Sequence, residues 1–384
     1  MVEGVEFAGV AAGIKGKGKN PDLGLLFFKE GMHVTSLYTR NRVKAAHILY
    51  NRKLEASPVR AVLVNSGCAN ACTGKEGIAD LAAIGVSLAP LLDVKKEEIL
   101  FASTGVIGKR LPRDVIVKAL PSLAKNLKSS HLDTFSKAIM TTDTFPKVVH
   151  ATFKGQKQYH MTGVAKGAGM INPLFATMLA FVVTDFPVAP AALHRTFVHA
   201  AKESFERISV DGECSTNDSI LLFTGTGEGD ETGFEGFRDA LSSVLKELSM
   251  MVVKDGEGAT RIAHIIVKGA KKKEAAEKIA RRISISPLTK TAFFGADPNW
   301  GRIIAATGDA GVALIPSKIE ITLQGHVLAK AGVEVPFDEE EMKNLMSGKE
   351  IEVIVDLHEG KSSFDMWTTD YTYDYIKINA AYRT

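Results

Sequence analysis

Apolar residues along this chain follow two rhythms. Short continuous apolar runs that end in small polar residues predict buried strands with loops at their tips. The runs "AVLVNSG" (61–67), "EILFASTG" (98–105), "MLAFVVTD" (178–185) and "SILLFTG" (219–225) have this form. "DLGLLFF" (22–28) suits another buried strand, after a turn at "KGKGKN" (15–20). Elsewhere apolar residues recur every three to four positions, which predicts amphipathic helices. This spacing holds in "GIADLAAIGVSLAPLL" (77–92) and in "LPRDVIVKALPSLAKNL" (111–127), where Pro112 suits a first turn. It recurs at 188–208, around 236–249 and at 272–284. The last hundred residues turn to strands: "KIEITLQ", "EIEVIVDL" and "YIKIN". The pattern describes an α+β chain of mixed helix and strand, with helices packed on sheets. It divides near residue 285, into a large first part (1–285) and a smaller strand-rich part (286–384).

The loops at these strand ends are the informative part. "NSGCANACTG" (65–74), "STGVIGKRLP" (103–112) and "DGECSTND" (211–218) each follow an apolar strand, and "DGEGATR" (255–261) precedes one. Glycine lets a backbone approach a ligand closely, and sites are commonly built from loops carried by a rigid scaffold. Several such loops predict one converging active site.

Composition narrows the chemistry. The 384 residues carry 47 basic and 44 acidic side chains, a net charge of +3. That balance gives no electrostatic ground for a nucleic-acid partner. The longest apolar run, 178–183, is too short to span a bilayer. The first residues carry acids and no basic leader, so no secretory signal is expected. Cys68, Cys72 and Cys214 form neither a disulfide framework nor a zinc pattern, which fits a reduced, cytoplasmic protein with no metal. "GVIGKR" (105–110) has the wrong spacing for a phosphate loop, and "GAG" (167–169) is no dinucleotide fingerprint. There is no G-x-S-x-G and no H-E-x-x-H.

One nucleophile stands out. "KGAGMINPLFATMLAF" (166–181) sets Ala176 and Thr177 just before an apolar run. A threonine hydroxyl needs an adjacent base. Cutting the chain between Ala176 and Thr177 would free an α-amine on the same residue. Such an amine titrates near ~8, so it can accept the hydroxyl proton. Ala176 leaves its carbonyl accessible, the upstream glycines and Pro173 permit an irregular approach, and the run from Met178 would anchor the new N-terminus. The plain reading, a hydroxyl at the edge of a strand, stands beside this one.

The stretch 166–181 resembles the self-cleavage signature of the ornithine acetyltransferase family, the bifunctional glutamate N-acetyltransferases of arginine biosynthesis. "AAGIKG", "NSGCANACTG", "STGVIGKRLP", "MTTDTFPK", "ISVDGECSTND", "DGEGATR", "FGADPNWGRIIAATG" and "YIKINAAYRT" are similar to that family's blocks, in the family's order, over roughly residues 60–384 and near the start. The resemblance implies a four-layer αββα core like that of N-terminal-nucleophile enzymes, with different connectivity, plus a smaller C-terminal domain. It implies ping-pong acetyl transfer from N2-acetyl-L-ornithine to L-glutamate, with no cofactor. Thr177 would cut Ala176–Thr177 and then carry the acetyl group, while Thr104 and the backbone N–H of Gly105 would form the oxyanion hole. Thr142, Lys166, Thr177, Glu257, Asn379 and Thr384 would bind substrate. Lys166 could pair with an anion or keep the Thr177 amine neutral, and Glu257 could meet the ornithine ammonium. Fragments 1–176 and 177–384 would stay together and assemble into a heterotetramer of two of each, or larger.

The family includes members that also use acetyl-CoA, and nothing in the sequence decides between one donor and two. A self-processing aminopeptidase or amidase on the same fold, and a ligand-binding protein without activity, remain as other readings. Departures from the family pattern are Cys68 for a frequent asparagine, His47 for a common proline, Arg261 for a frequent lysine, and the bulky Leu174-Phe175 pair.

Overall fold

A computed structural model of the chain describes residues 2–16, 18–54, 58–172, 178–227 and 229–381. The first strands are β1 (Val5–Val10), β2 (Leu23–Tyr38), β3 (Val59–Cys68), β4 (Ile99–Val106), β5 (Lys147–Lys154), β6 (Gln158–Lys166), β7 (Leu179–Pro187) and β8 (Ser219–Gly225). Their hydrogen-bonded order is β4-β3-β2-β8-β7-β6-β5, with β1 on β2. The 16-residue strand β2 belongs to two sheets. Leu23 to Phe27 pair with β1 and β3, and His33 to Tyr38 pair with β8. The register breaks between Phe27 and Met32, where β2 passes from one sheet to the other. "DLGLLFF" marks only the first half of it.

Side-chain alternation shows how the sheets stack. Successive strand residues point to opposite faces. In β7, Leu179, Phe181 and Val183 share a core with Val62 and Val64 of β3 and Leu100 of β4. The alternate residues Ala180 and Val182 face a second core with Phe197, Leu241 and Leu248. In β3, Ala61 and Leu63 face a third core with Leu81, Leu88 and Leu120. Each fully buried side chain of this kind contributes about 1.5–3 kcal/mol. The helices are α1 (Ala46–Asn51), α2 (Gly74–Leu92), α3 (Arg113–Lys125), α4 (Leu132–Ala138), α5 (Pro190–Lys202) and α6 (Phe234–Lys254). Helices α2 and α3 cover one outer face and α5 and α6 the other, which gives the four-layer αββα order.

The remaining strands are β9 (Ile262–Ala270), β10 (Glu320–Leu323), β11 (His326–Lys330), β12 (Val333–Glu334), β13 (Glu350–Asp356) and β14 (Ser362–Thr369). They form a six-stranded sheet in the order β12-β11-β10-β13-β9-β14. Helices α7 (Lys273–Ser284), α8 (Pro287–Gly295), α9 (Trp300–Gly308) and α10 (Glu339–Met346) accompany it, around a core that includes Ala263, Ile279, Phe293, Ile303 and Met342. The sheet thus takes β9 from before residue 285. The last element is a helix, α11 (Tyr373–Ala381), where "YIKIN" predicts a strand. Among the described residues, no strand pairs with it. Thr372 accepts the Tyr375 N–H at 3.1 Å, as an N-cap does, and Asn379 donates to the Tyr375 carbonyl at 3.0 Å. Among the described residues, no helix is long and apolar enough to cross a membrane.

His47 in α1 is fully buried, 3.1 Å from the Ser219 hydroxyl. Burial holds its imidazole down at about 3. Below the ordinary value of 6.5 the unfolded chain therefore takes up a proton that the native state refuses. Stability falls as pH drops from about 6.5 toward 3, by at most roughly 1.4 kcal/mol per pH unit from this group. Denaturant melts of wild type and His47→Gln between about pH 7 and pH 4 should show a shallower acid loss in the variant. Parallel curves would mean that His47 does not contribute.

Candidate active site

The parallel strands β3 and β4 run side by side and end in glycines in the left-handed region, Gly67 at φ 99° and Gly105 at φ 121°. A Cβ on Gly105 would lie 2.4 Å from the Gly67 carbonyl carbon, so only glycine allows this approach. The approach turns the end of β4, with Thr104 and Gly105, into a cavity of about 220 Å³. Strand β6 ends beside it with Lys166, the loop after α4 brings Thr141 and Thr142, and the turn after α6 brings Glu257. Helix α11 contributes Tyr375 and Asn379 to the lining. Thr104, Gly105, Thr142, Lys166, Glu257 and Asn379, singled out from sequence, all line this one cavity. Ala176, Thr177 and Thr384 lie outside the described residues. Met178, next to Thr177, is buried where β7 begins.

A buried ion network supports the floor. Lys166 Nζ donates to Thr141 Oγ1 at 2.6 Å and to Thr104 Oγ1 at 3.4 Å, and stands 3.8 Å from Asp143. Asp143 also accepts Lys147 Nζ at 2.8 Å and the Gly167 N–H at 2.6 Å. Lys147 reaches Asp255 at 2.5 Å, and Asp255 accepts the Thr144 N–H and hydroxyl. Burial opposes ionisation of Asp143, but the Lys166 and Lys147 ammoniums outweigh it and hold its carboxyl at about 2. Burial lowers Lys166 from its ordinary value, against the pull of Asp143.

The lining also carries acidic residues. Glu257 accepts Asn379 Nδ2 at 2.8 Å, which ties α11 to the site. A Cβ on Gly169 would lie 2.3 Å from the Glu257 carboxyl carbon, so that glycine makes room for the carboxylate. Thr372 donates to the Gly258 carbonyl at 2.7 Å and holds the start of the helix. Asp211 and Glu213 line the same cavity. Burial raises the Asp211 carboxyl to about 6. Burial, and then the Asp211 charge, push the Tyr375 phenol above its ordinary range. The cavity therefore brings together a hydroxyl and a glycine, a cation, and carboxylates. That set can bind a zwitterionic amino acid and stabilise charge on an acyl oxygen.

Sequence reasoning passed over Thr141, Asp143, Lys147, Asp211, Asn217 and Tyr375. Asn217 ties two loops together by donating to the Ala69 and Ser103 carbonyls at 2.6 and 2.7 Å. Most of these residues stand inside the quoted polar loops, and Asp143 with Lys147 has the spacing of an i,i+4 ion pair. Cys68 sits at the end of β3, in register with Thr104 and Val106, and its thiol donates to the Lys109 carbonyl at 3.3 Å. Burial raises that thiol above its ordinary value. Among the described residues, no group of three or more His, Cys, Asp or Glu side chains could hold a metal ion.

The ArgJ family profile matches residues 6–384. The arginine biosynthesis bifunctional protein ArgJ of Geobacter sulfurreducens is 43% identical, over 100% of both chains. The glutamate N-acetyltransferase of Methanopyrus kandleri is 39% identical, over 97% of each. A crystal structure of the arginine biosynthesis bifunctional protein argJ of Bacillus halodurans is similar, with 34% identity and a TM-score of 0.50, over 53% of this chain and 98% of that one.

Proposed function

Because the chain belongs to the ArgJ family, we propose that this acyltransferase is a self-processing glutamate N-acetyltransferase that moves acetyl from N2-acetyl-L-ornithine to L-glutamate. The observation that carries the reading is the convergence of Thr104, Gly105, Thr142, Lys166, Glu257 and Asn379, which come from positions 104 to 379, on one cavity.

The chemistry runs in three steps. In processing, Thr177 Oγ attacks the Ala176 carbonyl carbon. The C–N bond breaks, the nitrogen takes the hydroxyl proton, and water hydrolyses the resulting ester to leave an Ala176 carboxylate and a free Thr177 amine. In the first transfer, Thr177 Oγ attacks the acetyl carbonyl of N2-acetylornithine, its own amine takes the proton and returns it to the leaving nitrogen, and ornithine departs. In the second, the amine of glutamate attacks the acetyl carbonyl carbon, the bond to Thr177 Oγ breaks, the Thr177 amine passes the glutamate nitrogen's proton to that oxygen, and N-acetylglutamate departs. Thr104 and the Gly105 N–H are the donors for the oxyanion, and one preorganised donor of this kind contributes about 2.7–4 kcal/mol. Glu257 would receive a substrate ammonium and Lys166 a carboxylate. Thr142, Asn379 and Thr384 would complete the substrate contacts. Acetyl-CoA as a second donor belongs to the same proposal, and assaying glutamate acetylation with acetyl-CoA alone would test it.

Fragments 1–176 and 177–384 would remain one body, in the cytoplasm and as a heterotetramer or larger assembly. Strand β7 is hydrogen-bonded to β6 along Leu179–Val183, and β8 to β2 along Ser219–Thr224, so both sheet contacts join the two fragments. The Bacillus halodurans chain matches about half of this one, a length that suits a single fragment.

The test is a half-reaction. Protein incubated with N2-acetylornithine and no acceptor should release ornithine, and the fragment that starts at Thr177 should gain the mass of one acetyl group. Added glutamate should then discharge it as N-acetylglutamate. Release of free acetate in place of N-acetylglutamate would favour the amidase reading and sink this one.

A further inference from the structure

The loop before β8 carries Asn217, which is buried and lines the cavity. Its Nδ2 donates to the Ser103 carbonyl at 2.7 Å and to the Ala69 carbonyl at 2.6 Å. Ser103 precedes Thr104 in β4, and Ala69 directly follows the end of β3. One amide thus ties together the two strand ends whose glycines, Gly67 and Gly105, approach each other. The Ala69 N–H strengthens the tie by donating to the Val106 carbonyl at 3.0 Å.

The Asn217 amide is held in one orientation. The Thr216 hydroxyl donates to Oδ1 at 2.6 Å, so the nitrogen is the atom that faces the two carbonyls. The backbone of Asn217 is fixed as well. Its N–H donates to the Ser215 hydroxyl at 3.0 Å, and its carbonyl accepts the Ser219 hydroxyl at 3.0 Å. An amide nitrogen has two protons, and here each has a carbonyl. Asn217 therefore keeps no amide proton for a substrate, although it lines the cavity.

What it can supply is order at Thr104. The Ser103 carbonyl and the Thr104 N–H belong to one planar peptide unit, so fixing the carbonyl sets the direction in which the chain enters Thr104. The chain leaves through Gly105, at φ 121°. On the side chain, Lys166 Nζ donates to Thr104 Oγ1 at 3.4 Å, which leaves the hydroxyl its own proton to donate.

We infer that Asn217 is a positioning residue for the Thr104 hydroxyl, acting through the Ser103 carbonyl. The inference rests on the oxyanion role given to Thr104 above. A donor stabilises a developing oxyanion only when it is preorganised at hydrogen-bond distance from the place where the charge appears. Loosening the peptide before Thr104 lowers turnover and leaves ground-state binding in place, because that contact matters most in the transition state. The reaction steps and their products are unchanged.

The test is a double-mutant cycle with Asn217→Ala, Thr104→Ala and the double variant. Ornithine release from N2-acetylornithine in the presence of glutamate gives kcat, counted per cut chain. Calorimetry gives the affinity for ornithine. Thr104→Ala removes the donor itself and should lower kcat about 10²–10³-fold. Asn217→Ala should lower kcat about tenfold or more, with ornithine affinity within about twofold of wild type. In the Thr104→Ala background the same substitution should cost less than about threefold, since the group it positions is gone. Should Asn217→Ala fail to fold or stay uncut, Asn217→Ser, which keeps one donor, is read in the same way. Costs that multiply in full in the double variant would overturn the inference, because the two residues would then act independently. Weaker ornithine binding with unchanged kcat would overturn it too, and make Asn217 a substrate contact. A lower thermal midpoint with wild-type kcat in the folded fraction would reduce Asn217 to a structural tie. Wild-type kcat in Thr104→Ala would instead overturn the oxyanion role on which the inference rests.

Discussion

The Thr177→Ala variant is expected to purify as one uncut chain of 41.3 kDa with no acetyl transfer. Both losses share one cause. The hydroxyl that would attack the Ala176 carbonyl is the hydroxyl that would later carry the acetyl group. Removing a covalent nucleophile whose partners act as a unit costs on the order of 10⁶ in turnover. The fold should survive, because the substitution removes only a hydroxyl and a methyl group and leaves the core residues Met178 and Leu179 that follow it unchanged. Thr177→Ser separates the two roles. It keeps the hydroxyl without the methyl group that restricts χ1, so it should cut slowly and transfer weakly. Denaturing mass spectrometry measures the cut, and release of ornithine from N2-acetylornithine measures the transfer. Wild-type turnover by the alanine variant would end the mechanism.

The legible parts of this chain are those where one physical signal dominates. The buried strands β3, β4, β7 and β8 are continuous apolar runs with polar ends, and they read as such because both faces of each are covered. The hairpin of β5 and β6 was not legible. Its strands carry exposed His150, Lys154 and Gln158 and half-buried His160, so no clean period emerges from the sequence. Helices α8, α9 and α10 in the strand-rich stretch were missed for another reason. Short helices are defined by caps more than by apolar period, and here Ser286, Asn299 and Asp338 cap them. Helix α11 was misread as a strand because its alternating Ile376 and Ile378 mimic period two, while its folding is set by Thr372 and by contact with the Glu257 turn.

The site divides in the same way. The direct chemistry was visible as residues within family-like blocks. The support beneath it was not, since neither Asp143 nor Asp211 announces which backbone N–H groups it will accept. These partners come from different segments of the chain, 24 residues apart for Asp143 and Gly167 and 41 for Asp211 and Met170. Long-range polar satisfaction is a property of the fold, and a local pattern cannot report it.

The largest stability effect outside the cores is expected at Lys147. Its side chain is fully buried, with its ammonium between Asp143 at 2.8 Å and Asp255 at 2.5 Å. Lys147→Met keeps most of the stem volume and removes the charge. Asp143 then retains the more distant Lys166 at 3.8 Å, and Asp255 keeps its Thr144 donors. Removing one member of a buried ion cluster leaves an uncompensated charge and costs about 3–5 kcal/mol. The loss should depend on pH in a defined direction. The Asp143 carboxyl, held at about 2 in the native protein, sits below its ordinary value of 3.8, so its contribution is present above about 3.8 and is lost as pH falls toward 2. In the variant that carboxyl should titrate higher, and the acid loss should begin at a higher pH. Denaturant melts of wild type, Lys147→Met and the double variant with Asp255→Asn measure both effects. The second substitution removes the orphaned charge at Asp255, so the double variant should recover part of the loss, a coupling that independent sites would not show. A single variant within about 1 kcal/mol of wild type would mean that Lys166 alone neutralises the pair. Such a result would also weaken the claim that this network fixes Lys166 at the cavity floor.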